Sequence, residues 1–270
     1  ERPRPHSNVN LSFKLNAMVD ITSQEACYGL CERHCAVESL MFLASVMRQL
    51  EPTLAHFIKF RQSATEGLKV FYSTTVDCMA ELKDCLWRRV PYVVMPMADI
   101  VAQMDKVKWN PKELGAYHNS YIDALQKKFQ LLSSLLASLK TRLPDEVSEM
   151  ILRNAIVYTM EQLVEGFSHA KKCSHEGRAM MSHDLETLCK NLRLVTSIRP
   201  IPQHRYVDEY IKAYYMPEQD VPNWVHQHAE YTSEQVLALV RTMCDGQGLK
   251  KKQAQALISQ VEAILKSTAM

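Results

Sequence analysis

Cys27, Cys31, Cys35 and the neighbouring His34 are the first residues whose types could hold a metal. Structural zinc gathers thiolates and imidazoles from turns that wrap around the ion. Here the thiols recur every four residues, which on a helix sets them along one side. Helix packing is therefore the reading, and no metal is assigned. Cys173 and His175, even with His183 and Cys189, would have to share one side of one helix, and they receive the same reading. Cys173 and His169, four residues apart, suggest a nucleophile and base, but no local sequence supplies an orienting group or oxyanion donors. Asp208, Glu209, Glu218 and Asp220 are carboxylates such as any polar face carries. Asp245-Gly246-Gln247-Gly248-Leu249-Lys250 imitates a phosphate loop. It lacks the longer glycine frame ending in Lys-Ser/Thr and follows a helix rather than a strand. A helix-ending turn accounts for both glycines. No catalytic residue, cofactor or metal site is expected.

Two groups could bind rather than react. Tyr206, Tyr210, Tyr214 and Tyr215, with Trp224 shortly after, are the densest aromatic concentration. Spacing of four makes the first three neighbours on a helix. They fit core packing, or a protein-recognition face in which amphipathic aromatics bury area and keep polar rims. Tyr206, Tyr210, Tyr214 and Trp224 are the candidate interaction patch. Lys250, Lys251 and Lys252 near a helix start form a local cation patch, either a solvated face or a weak contact for anionic lipid or an acidic partner. Met180 and Met181 read as core filling.

The elements that position these residues are helices. From Pro111 to Phe167, Leu114, Tyr117, Tyr121, Leu125, Phe129, Leu132, Leu136 and Leu139 recur every three or four residues. Pro144 interrupts them, and Val147, Ile151, Val157, Met160, Val164 and Phe167 make a second stripe. A period-two strand cannot keep this pattern on one face. Two long amphipathic helices are expected, hiding their stripes against each other and against further helices. Upstream, Ser7 to Asp20 reads as a loop or extended arm, with Thr22 or Ser23 capping a helix that reaches about Leu50. Pro52 is expected to open a new helix, Gly67 to mark a joint, and Pro91 and Pro96 to impose breaks. Ala98 to Val107 reads as a short helix. Downstream, Ser174 or His175 opens the next helix, Arg199-Pro200-Ile201-Pro202 turns the chain, and Thr232 with Gln235 has capping-box spacing. Gly246 or Gly248 provides the exit before the last helix.

About eight to eleven helices follow, in an all-α, extended stack of antiparallel bundles. The divisions are an irregular arm over 1–21 and units over 22–110, 111–199 and 200–270. Seven glycines in 270 residues suit long helices. A formal charge of +2 gives no reason to expect nucleic acid. Of the eight cysteines, Cys27, Cys31, Cys35, Cys78, Cys85 and Cys189 sit inside helical patterns and are expected to be mostly small buried hydrophobes of a reducing compartment. No run approaches the length of a membrane span.

The stretch Phe167-Ser168-His169-Ala170-Lys171-Lys172-Cys173-Ser174-His175-Glu176-Gly177-Arg178-Ala179-Met180-Met181 is followed by Ile198-Arg199-Pro200-Ile201-Pro202. Then comes Tyr206-Val207-Asp208-Glu209-Tyr210-Ile211-Lys212-Ala213-Tyr214-Tyr215. Together these resemble the C-terminal region of the syndetin family, across most of the chain. The resemblance implies a fragment of a larger, non-catalytic subunit of the endosome-associated recycling protein tethering complex. Such a subunit would be cytosolic and peripheral on recycling endosomes or the trans-Golgi network. It would work with subunits shared with the Golgi-associated retrograde protein complex, in recycling to the plasma membrane ahead of SNARE-mediated fusion. SNAREs, small GTPases and other membrane-associated proteins are the partner classes implied. A helical protein-binding adaptor outside vesicle tethering is the alternative.

Overall fold

The computed structural model describes residues 20–113 and 118–268. Among the described residues there are eleven α-helices and no strand, an all-α helical-bundle fold. The stripe positions Leu114 and Tyr117, and the expected arm up to residue 19, lie outside the described residues. No described helix is long and apolar enough to cross a membrane.

The first helix, α1 (Leu30–Ile58), starts later than Thr22 or Ser23 would have it. Cys27 and Tyr28 take positive φ angles, which interrupts a right-handed helix. The two polar side regions serve turns instead: the Thr22 amide donates to Asp20 Oδ1 at 2.9 Å and the Glu25 amide to Ser23 Oγ at 3.2 Å. Pro52 does not open a helix but lies inside α1. Arg48, whose carbonyl Pro52 leaves without an amide, sits on the exposed side, as does the proline, so water can replace the lost donor. The break falls at residues 59–61, and Gly67 lies within α2 (Gln62–Phe71). A π-helical turn, Tyr72–Val76, leads into α3 (Cys78–Val94).

Pro91 is likewise inside α3 and does not break it, whereas Met95 and Pro96 do end the helix. The carbonyl that Pro91 orphans, four residues back on Trp87, accepts a hydrogen bond from Asn154 Nδ2 at 3.1 Å. A neighbouring helix thus supplies the donor the proline lacks. Asn154→Ala is expected to cost about 1–2 kcal/mol in urea unfolding, because it leaves that carbonyl unsatisfied; an unchanged midpoint would contradict this.

Beyond α4 (Ala98–Met104) run the two long helices, α5 (Ser120–Ser138) and α6 (Asp145–Ser168), with Pro144 at the joint. They pack mainly on other helices, not on each other: α5 along α7 (His175–Val195) and α6 along α3. Helix α6 is buried on most of its circumference, from Ile151, Ala155 and Ile156 to Val164, Gly166 and Phe167. A helix with so broad a buried side sits near the centre, and α6 also touches α4 and the C-terminal helices. Asp184 of α7, 1 % exposed, accepts from the Asn119 amide (2.9 Å), Asn119 Nδ2 (2.7 Å) and the Tyr121 hydroxyl (2.6 Å). One carboxylate therefore caps α5 from across the interface, where its charge also meets the positive end of that helix.

After the turn at Arg199-Pro200-Ile201-Pro202 come α8 (His204–Lys212), a 3₁₀ turn Ala213–Tyr215, and α9 (Val221–Gln227). Then follow α10 (Ser233–Gly246) and α11 (Lys251–Thr268). Ser174, one of the two residues expected to open α7, caps it by accepting from the Gly177 amide, and Thr232 and Gln235 make the expected reciprocal box. Gly248, at φ +66°, provides the left-handed exit from α10. One apolar core runs from Leu30 to Val261. A second, smaller cluster joins Ala44 of α1 to Tyr72, Val76 and Met79.

Candidate functional site

Helix α8 carries Tyr206 and Tyr210, and the 3₁₀ turn that continues it carries Tyr214; α8 lies between α6 and α7 with its aromatic side inward. Tyr206, Tyr210 and Tyr214 are 9, 0 and 1 % exposed. Each hydroxyl finds an internal acceptor: Tyr206 donates to Gln235 Oε1 (3.5 Å), Tyr210 to the Gln235 carbonyl (3.0 Å) and Tyr214 to the Cys173 carbonyl (3.0 Å). Of the two readings left open for this face, the structure takes core packing. The three tyrosines do not form a surface patch. Burial pushes the phenols of Tyr210 and Tyr214 above their ordinary range. Trp224, on α9, is half-buried and stacks on His228 and on Tyr231, whose ring also stacks on Tyr206.

Arg178, in the first turn of α7, closes this interior. Its Nη2 donates to Thr242 Oγ1 at 3.2 Å, and the guanidinium lies 4.7 Å from the Tyr214 ring centre and 5.9 Å from that of Tyr210. A cation over aromatic faces recovers part of the cost of its burial. Gly177 lets this turn approach: a Cβ there would lie 1.8 Å from the Trp109 carbonyl oxygen, which already accepts from the Ser174 amide at 2.9 Å. The stretch that carries the resemblance thus supplies much of this interior.

Residues weighed for reaction chemistry do not converge. His169 gives Nδ1 to Asp105 (2.8 Å) and Nε2 to Glu165 (3.3 Å), so both ring nitrogens are occupied by carboxylates rather than a thiol. Burial lowers its pKa, but the two carboxylates outweigh that and raise it. Burial also raises the thiols of Cys31 and Cys173, and pushes Cys189 up to about 11, away from the reactive thiolate form. Cys31 is buried while Cys35 is exposed, and all eight cysteines are free.

One cluster was not visible in the sequence, because Glu209 is distant in the chain from His228 and Glu230. Glu209, His228 and Glu230 bring donor atoms within 4.8 Å of one another, close enough to hold a metal ion. The group is also satisfied without one. His228 Nδ1 is 2.8 Å from Glu230 Oε1, and Arg205 Nε meets Glu209 Oε1 at 2.5 Å.

Two surface features remain. Lys250, Lys251 and Lys252 are exposed at the start of α11, where the helix's own dipole adds to their positive potential. Helix α1 presents a second apolar side: Leu43, Leu50, Leu54 and Phe57 are 50, 44, 36 and 78 % exposed, with Val46 half-buried among them.

Residues 27–262 match the family model described as "Syndetin, C-terminal". Syndetin of Mus musculus is 36% identical over 264 residues, covering 97% of this chain and 26% of that protein. The Gallus gallus syndetin is 35% identical over the same length, covering 97% and 27%. The chain therefore spans about a quarter of the length of the curated relatives it matches. No solved structure matches it. A match over nearly every helix, at this identity, makes the chain a member of the syndetin C-terminal family.

Proposed function

We propose that this chain is the non-catalytic C-terminal scaffold and interaction region of a vesicle-tethering subunit acting in endocytic recycling to the plasma membrane. The observation that carries the reading is the syndetin family match over residues 27–262. The fold suits such a role: a core continuous from Leu30 to Val261 couples the helices so that a contact at one end orients the other. Assembly with the shared subunits of the endosome-associated recycling protein complex would run through the full-length protein. The region itself would meet SNAREs, small GTPases or other membrane-associated proteins on recycling endosomes. The test is replacement in cells lacking the endogenous subunit. Full-length protein carrying this region should restore return of an internalised receptor to the surface, and the same protein truncated before it should not. Equal rescue by the truncated form would defeat the reading.

Lys250, Lys251 and Lys252 are the proposed contact for an anionic leaflet. Each lysine near such a surface contributes about 1 kcal/mol, too little together for autonomous anchoring. Reversal of all three to glutamate is expected to lower co-sedimentation with phosphatidylserine liposomes by about tenfold or more. Unchanged sedimentation would remove the lipid contact.

A further inference from the structure

The outer side of α1 is the largest run of unburied apolar side chains on one described helix. Leu43, Val46, Leu50, Leu54 and Phe57 follow one another at intervals of three, four, four and three residues. That spacing keeps them on one side of a helix for about four turns, the pattern by which a helix receives knobs from a second one. Folded monomers seldom leave such a continuous apolar strip in water. Rolling the helix cannot hide it, because Leu40, Ala44 and Met47 already hold the adjoining side against Tyr72, Val76 and Met79.

What covers it is suggested by where the strip lies along the chain. The relatives carry roughly three quarters of their length outside the matched part, and the family is the C-terminal one, so that remainder precedes this region. Helix α1 is the first described α-helix, the one nearest in sequence to that remainder. We infer that the outer strip of α1 is the docking seam for a helix contributed by the polypeptide preceding the C-terminal region in full-length syndetins. The inference rests on the reading of this chain as part of a larger tethering subunit, and it adds how the region is joined to the rest. A seam of this kind holds the C-terminal bundle at a fixed angle, where a bare covalent connection leaves it free to swing.

The test is amide hydrogen exchange on the 270-residue chain alone and on a full-length syndetin carrying this region. Amides of residues 43–58 should exchange about tenfold or more slowly in the full-length protein, while those of α6 exchange alike in both. Leu50→Glu with Phe57→Glu in the full-length protein should abolish the difference and leave α6 protection and helical circular dichroism unchanged. Equal exchange of α1 in the two proteins would overturn the inference. So would slow exchange already present in the 270-residue chain that is lost on dilution, since that assigns the seam to a second copy. Either failure, with receptor recycling still dependent on the region, would leave the scaffold reading in place.

Discussion

Gly177→Ala is expected to destabilise the chain by about 3 kcal/mol, at the upper end of what one added methyl group does in a packed interior. The cost does not come from helix propensity, which favours alanine by about 1 kcal/mol. It comes from the backbone oxygen of Trp109, which stands 1.8 Å from where the new Cβ would lie. Flexible side chains can move aside, but this carbonyl is held by the Ser174 amide and by the Trp109 indole, buried against Phe167. The first turn of α7 must therefore shift, carrying Ser174 and Arg178 with it. Gly67→Ala is the matched control, since nothing lies within 4 Å of a Cβ there; it should be neutral or slightly stabilising. Chemical denaturation of both variants checks the pair. Equal midpoints would mean that the approach of Trp109 to α7 is wrong.

Asp184→Ala is expected to cost about 4 kcal/mol. Three donors lose their acceptor at once, two of them from Asn119 and one the fully buried hydroxyl of Tyr121, and bonds to a charged acceptor are the stronger kind. Tyr121→Phe should cost only about 1–2 kcal/mol, because it removes a donor and leaves the carboxylate with two others. The double variant should be markedly less unstable than the sum, since part of the alanine penalty is the stranded phenol. Additive losses would show that the hydroxyl and carboxylate do not meet.

Much of the helical framework was legible in local spacing. Ser174, Thr232 with Gln235, and Gly248 act within a turn of themselves, so their roles follow from short-range geometry. Pro52 and Pro91 did not, because the fate of a helical proline depends on who satisfies the carbonyl four residues back. For Pro91 that partner is Asn154, 67 residues from Trp87. The tyrosines were legible as neighbours but not as interior. Their hydroxyls find acceptors on Gln235 and Cys173, 25 to 41 residues away, and no window of sequence shows those meetings. A signal for the polar interior did exist. Arg178 and Asp184 fall in register with Met181, Leu185 and Leu188 on the buried side of α7, and a charge in that register marks a buried polar contact. Glu209 and His228 had no such marker.

The central claim is that the tyrosine helix is the interior of a scaffold rather than its contact surface. Nitration of native tyrosines, followed by peptide mass spectrometry, tests it most directly. Tyr92 and Tyr215, 56 and 47 % exposed, should be modified in the folded chain. Tyr206, Tyr210 and Tyr214 should resist until the chain is globally unfolded. Modification of Tyr210 in the native state, at a rate near that of Tyr92, would contradict the account.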